Sequence, residues 1–271
     1  MDVLSLPFIQ HAILAGILAS VACGIIGSLV VVNRSVFLAG GIAHAAYGGV
    51  GLAFFLSLPP LPCIIGFSLF MALIMAAFTV ERRHRMDTFI GVLWAVGMAT
   101  GIILIDLSPG YNVDLMSFLF GSILTVPVSD IKVMAAVDIL IIGAMCGFYK
   151  EFLAMSYDME FARVRGLPVR LFHFLFMALV ALAVVMTIRV VGLILVMALF
   201  TIAPYLTERF SASLAGMMVT STIANIVFVF TGLWISYRYN LTSGATIILV
   251  AALFFMIFII LSRFASCPRK P

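Results

Sequence analysis

Val36–Leu56 reads VFLAGGIAHAAYGGVGLAFFL, a stretch in which only His44 titrates near neutrality. About 20 apolar residues cross the roughly 30 Å hydrocarbon core of a bilayer, so this stretch has the length and character of a membrane span. On a helix Gly40, His44 and Gly48 share one face, and Gly41, Ala45 and Gly49 lie on the adjoining stripe. An imidazole costs free energy in hydrocarbon and therefore faces a protein interior or a water-lined path. Glycines let neighbouring helices approach that ring. Two readings stay open: a ligand for a permeating solute, or a histidine hydrogen-bonded across a packed helix pair.

The rest of the chain repeats the pattern. It is 65% hydrophobic and 10% charged, with a mean hydropathy of +1.28, whereas soluble domains carry about 25% charged residues. Apolar runs predict nine spans, at 8–32, 36–56, 61–80, 87–106, 131–149, 171–188, 190–207, 213–233 and 244–262. The 190–207 run is open to an irregular reading, which would leave eight. The expected fold is all-α, a polytopic transmembrane helix bundle forming one domain over 1–271. The first run is too long, and its flank too poor in basic residues, to read as a cleaved signal peptide.

Loop charge sets the expected orientation. With the N-terminus outside, the inner side holds Arg34, Arg82, Arg83, Arg85, Lys150, Arg163, Arg165, Arg170, Arg209, Arg263, Arg269 and Lys270; the outer side holds Lys132, Arg189 and Arg238. That asymmetry follows the positive-inside rule and puts the C-terminus in the cytoplasm. It also accounts for the basic pI near 9.0 without a nucleic-acid partner. Lipid is the partner that composition demands.

Motif absences narrow the chemistry. Lys132, Lys150 and Lys270 are the only lysines and none follows a glycine, so no phosphate-binding G-x-x-x-x-G-K-[ST] loop exists. Neither H-E-x-x-H nor G-x-S-x-G occurs, so no hydrolase signature is present. Cys23, Cys63, Cys146 and Cys267 form no CxxC pair and read as packing residues. The methionines form no Met-x-x-Met pair, which gives no support to a soft-metal relay. In the first span Ala15, Ala19, Cys23 and Gly27 form one small-residue stripe, and Gly16, Ser20, Gly24 and Ser28 the next, a pattern for close helix packing.

The cytoplasmic loop 150–170 carries a fully punctuated short helix. Asp158 is suited to the N-cap, Glu160 to the first turn, and Arg163 and Arg165 to the last turn. Gly166 occupies the C′ position and Pro168 blocks continuation. Such a helix suits either docking to a partner or an ordinary solvated connection.

Five stretches together resemble the metal-ion permease family of ABC importers, the zinc and manganese permeases of the ZnuB and MntB kind. They are VVNRSVFLAGGIAHAA at 31–46, DTFIGVLWAVGMATG at 87–101, VDLMSFLFGSILTV at 113–126, the D-x-E-x-A-x-x-x-G pattern of Asp158, Glu160, Ala162 and Gly166, and SYRYNLTSGATIILV at 236–250. The resemblance spans nearly the whole chain. It implies an inner-membrane homodimer with a shared path, an ATP-binding subunit docked on the 158–166 helix, and an extracytoplasmic solute-binding protein above. No cofactor is implied for this chain; a divalent metal, zinc or manganese, is the implied cargo, with ATP hydrolysis on the partner. Two departures stand out. The family carries Asp one turn before the histidine, where this chain has Gly40, and the acid of the last stretch is Asn240. Losing those carboxylates favours imidazole-binding zinc over manganese, or a cargo such as a metal chelate. An ion-coupled secondary carrier is the reading from a different class.

The remaining ionisable groups complete the expectations. Asp138 is the least expected, since a carboxylate near mid-membrane costs roughly 2.5–3.5 kcal/mol on insertion scales. It is a pathway candidate with His44, Gly40 and Asn240, or a buried hydrogen-bonded carboxyl. Asp106, Asp114 and Asp130 mark the outer face, and His11 and His173 read as interfacial. His84 falls in the basic run Glu81–Arg85, an inner anchor, while Arg189 suits a gate or a headgroup anchor.

Overall fold

A computed structural model of the chain describes residues 7–80, 86–108, 121, 123 and 126–264. The described elements are helices: α1 (Pro7–Val32), α2 (Val36–Phe55), α3 (Pro60–Thr79), α4 (Met86–Asp106), α5 (Val128–Gly147), α6 (Tyr149–Tyr157), α7 (Met159–Val164), α8 (Val169–Val191), α9 (Leu193–Glu208), α10 (Leu214–Tyr239) and α11 (Ser243–Phe264). Seven of these are long and apolar enough to cross a membrane, and α5 with α6, bent by 74° between them, makes an eighth. The ninth expected span is α9, an apolar helix of only 16 residues. Asp114, the run Glu81–Arg85, Cys267, Arg269 and Lys270, and most of 113–126 lie outside the described residues.

Sequence explains the breaks. Proline opens α3 at its first position, where its missing N–H would have had no partner. Gly192 separates α8 from α9 with φ 85°, a backbone that a side chain would strain. A β-carbon at Gly121 would lie 2.5 Å from the Val191 carbonyl carbon, so the chain after α4 presses directly on this junction. Ser213 caps α10 by accepting from the Gly216 N–H at 3.1 Å.

Small residues decide which helices reach the centre. α2 buries most of its length and packs most extensively against α4 and α3. A β-carbon at Gly49 would lie 2.6 Å from the Ile64 Cα, one at Gly51 2.7 Å from the Gly101 Cα, and one at Gly97 2.7 Å from the Ala45 Cα. The sequence predicts that the glycines of α2 let neighbouring helices approach closely. Gly41, Gly48, Gly49 and Gly51 do so by seating α2 on α3 and α4 of the same chain. In α1 the two predicted stripes divide their work: Gly27 meets the Phe200 carbonyl of α9, whereas Gly16 and Gly24 meet Val229 and Thr222 of α10. Close backbone approach of this kind gives apolar helices a reason to associate in lipid, where hydrophobicity does not.

Polar side chains join the same helices. Ser28 of α1 donates to Ser221 of α10 at 3.2 Å, Ser221 and Thr207 of α9 lie 2.6 Å apart, and Asn225 donates to the Leu199 carbonyl at 3.2 Å. Interhelical bonds of this kind contribute about 0.6 kcal/mol each in membrane proteins.

Candidate functional site

His44 stands midway along α2, and α4 supplies its floor. The imidazole stacks on the Trp94 indole with ring centroids 3.9 Å apart and planes 14° from parallel. Trp94 is itself held, since its Nε1–H donates to the Met98 sulfur at 3.3 Å, and the Phe37 ring lies 5.9 Å from it. The His44 Nδ1 is buried without a hydrogen-bond partner. The stacked ring fixes the imidazole plane, and a neutral imidazole holds a lone pair in that plane, available to an electrophilic cation. The alternative of a histidine bonded across a helix pair finds no such bond at Nδ1.

One turn before it, Gly40 is buried, and a β-carbon there would lie 3.0 Å from Met197 Cε and 3.5 Å from its sulfur. That neighbour is the mobile end of a side chain on α9. Asp138 is 5% exposed within α5, and its Oδ2 has no hydrogen-bond partner. Asn240 has an ordinary structural role: it ends α10 in the left-handed conformation, φ 55°, which asparagine tolerates, and it is exposed. The pathway candidates thus sit on α2, α5 and the α10 terminus. Among the described residues no three His, Cys, Asp or Glu side chains converge on one point. Of these candidates, His44 and Asp138 carry buried polar atoms without a hydrogen-bond partner.

The loop helix forms as its sequence requires, one residue shorter at its end. The Asp158 carboxylate accepts from the Phe161 N–H at 3.0 Å and caps α7. Ala162 is fully buried beneath it. Glu160 and Arg163 lie 3.7 Å apart on its exposed face, and Arg165 falls at the C-cap rather than in the last turn. Gly166 turns the chain at φ 81°, and the Leu167 N–H donates back to the Ala162 carbonyl at 3.1 Å. α6 anchors this helix to the bundle through buried Phe152, whose ring meets Phe172 edge-on at 5.8 Å.

Two readings of the sequence change. His173 is 8% exposed rather than interfacial, and its Nε2 lies 2.9 Å from the Thr79 hydroxyl. That hydroxyl also donates to the Met75 carbonyl at 2.7 Å, so the imidazole donates to it. Arg189 has a partner that the sequence did not show: it pairs with Asp130 at 3.4 Å across α8 and α5. Neither partner was legible, because both pairings join helices far apart in sequence.

Known proteins place this arrangement. The family model described as "ABC 3 transport family" matches residues 5–262. A membrane protein of Synechocystis sp. is 48% identical over 254 residues, covering 94% of this chain and 90% of that one. The manganese transport system membrane protein MntC of Listeria innocua is 32% identical over 250 residues, covering 92% and 89%. Among solved structures, PsaBC from Streptococcus pneumoniae in complex with Fab superposes with a TM-score of 0.83 at 30% identity, covering 94% of this chain and 92% of that one. A metal-chelate type ABC transporter in an inward-facing conformation shares the fold, with a TM-score of 0.70 at 16% identity over 93% and 85%. A multi-pass bundle matched from its first helix to its last, the chain belongs to the ABC 3 transport family.

Proposed function

We propose that this chain is the membrane-spanning permease of an ATP-driven importer for a divalent transition metal, with zinc preferred over manganese. The observation that carries the reading is His44: a histidine on the central glycine-rich helix, clamped by Trp94, with Nδ1 buried and unbonded. The manganese and PsaBC relatives support a metal cargo. Zinc is favoured because Gly40 and Asn240 provide no carboxylate, and imidazole suits zinc where hard oxygen donors suit manganese. Two copies would share the path, since one chain brings no complete ligand set among its described residues. The capped α7 would dock in an ATP-binding subunit, which performs the hydrolysis, on the cytoplasmic side with the C-terminus. A solute-binding protein would deliver cargo at the opposite face of the inner membrane.

The test is ATPase stimulation in vesicles holding the permease and its ATP-binding subunit, driven by the binding protein loaded in turn with zinc, manganese and a metal chelate. Zinc should stimulate most. Uptake that persists without nucleotide or without the ATP-binding subunit would instead identify an ion-coupled carrier.

A further inference from the structure

We propose that Asn33 is a positioning residue for energy coupling: its hydrogen bond to Ser156 transmits displacement of the α6–α7 hairpin to the helix that carries His44. The inference rests on the reading of α7 as the docking helix and names the route by which its motion reaches the pathway.

The geometry has three parts. Asn33 lies in the turn between α1 and α2, where its amide donates to the Leu29 carbonyl at 2.8 Å and to the Ser156 hydroxyl at 2.9 Å. The first bond anchors the amide on the last turn of α1. The second reaches α6, two residues before Asp158, the cap of α7. One amide therefore spans the joint between the hairpin and the transmembrane bundle.

The turn itself is stiff. Arg34 is held at φ 53°, unusual for a residue with a side chain. The Arg34 N–H donates to the Val31 carbonyl and the Ser35 N–H to the Val30 carbonyl, each at 2.9 Å, and the Ser35 hydroxyl also reaches the Val30 carbonyl at 3.2 Å. The Leu38 N–H then bonds back to the Ser35 carbonyl at 3.0 Å, starting α2. A turn pinned at each residue passes a displacement on to the helix it starts. At 1.5 Å per residue, His44 lies roughly 12 Å along that helix from Val36.

The hairpin side has room to move. A cavity of about 220 Å³ separates the turn from the hairpin, lined by Asn33, Arg34, Met155, Met159, His173 and Met177. Flexible thioethers of Met155 and Met159 line the hairpin side, and Asn33, which bonds Ser156, lines the turn side. Motion of α7 can therefore be taken up by the cavity, while the bond pulls on α2. Elsewhere on the cavity wall, the His173–Thr79 contact ties α8 to α3.

The test uses the reconstituted complex with zinc-loaded binding protein, comparing wild type with Asn33→Ala, Ser156→Ala, the double variant and Ser156→Thr. Ser156→Ala is the mild change, because Asn33 keeps its bond to the Leu29 carbonyl and lines a cavity with room for water. With the ATP-binding subunit still co-purifying, unstimulated hydrolysis should be retained, while stimulated hydrolysis and zinc uptake should fall about three- to tenfold, the scale of one net hydrogen bond. The double variant should be no worse than Asn33→Ala alone, because that change has already removed the Asn33–Ser156 bond. Ser156→Thr keeps the hydroxyl and should keep coupling. Wild-type uptake in Ser156→Ala, or a double loss equal to the product of the single losses, overturns the proposal. Failure of the docking reading looks different: Glu160→Lys and Gly166→Val would then transport normally with the ATP-binding subunit bound.

Discussion

The His44 imidazole lies 3.9 Å from the Trp94 indole and 14° from parallel to it, so the indole covers one face of the ring. A ligand must be neutral to donate a lone pair. Uptake should therefore fall as the medium is acidified and the imidazole takes up a proton. His44→Ala should abolish or retune metal uptake while the protein still inserts, because alanine is small and apolar. Trp94→Leu should keep insertion but weaken uptake about tenfold, since 1.4 kcal/mol of lost preorganisation suffices for that factor. Uptake by His44→Ala at the wild-type rate and pH profile would reduce the stack to packing.

Gly40 and Gly48 share a helix face and predict opposite outcomes. At Gly40 an added side chain would meet only the end of Met197, which can move, so Gly40→Asp should fold and put a carboxylate one turn from the imidazole. Manganese should then compete better against zinc in a filter-based uptake assay. At Gly48 the addition would run into the Phe67 ring and lie 2.9 Å from the Gly97 carbonyl oxygen. Gly48→Leu should therefore lower thermal stability within the single chain, by at least the roughly 1–3 kcal/mol typical of overpacking. Leu56→Ala, half-exposed at the helix end, should be far milder. Equal melting temperatures for the two would refute this account of the glycine face.

α7 should be sensitive to its ends rather than to its surface pair. Asp158→Ala removes the bond to the Phe161 N–H and should cost about 1 kcal/mol of local helix stability. Gly166→Val places a branched side chain at φ 81°, a strain of roughly 1–2 kcal/mol, with no atom within 4 Å to clash. Both should insert normally yet lose ATP-dependent uptake. Glu160→Lys removes an exposed ion pair of little structural worth but reverses a charge at the docking face. Full transport by Glu160→Lys and Gly166→Val with the ATP-binding subunit bound would exclude α7 as the docking site.

Local signals made α7 and the spans legible. A cap, a C′ glycine and a proline are each readable from their own position, and so is a run of apolar residues. What escaped were pairings across the bundle. His173 looked interfacial because its distance from the helix start is visible and Thr79 is not. Met197 attracted no notice because its place above Gly40 depends on how α9 crosses α2. The glycines of α2 announced close packing correctly, but spacing alone could not say whether the neighbour was α4 of the same chain or a second copy. At Asn240 the resemblance pointed to the pathway, and the local role was not visible: its φ of 55° shows a residue type suited to ending a helix.

Arg189 and Asp130 provide a test independent of transport. Their ion pair spans 3.4 Å between α8 and α5, with side chains 31% and 13% exposed, so water screens it only in part. Removing the arginine leaves a mostly buried carboxylate without its counter-charge, which costs more than the pair itself contributes. Arg189→Met should lower stability by about 1–3 kcal/mol. Adding Asp130→Asn should restore part of that loss, because no uncompensated charge then remains. Asp130→Asn alone should fall between the two. Thermal unfolding in detergent, followed by tryptophan fluorescence, measures all three. Losses that simply add in the double variant would show that the two side chains act independently and that α5 and α8 are held together by their apolar faces alone.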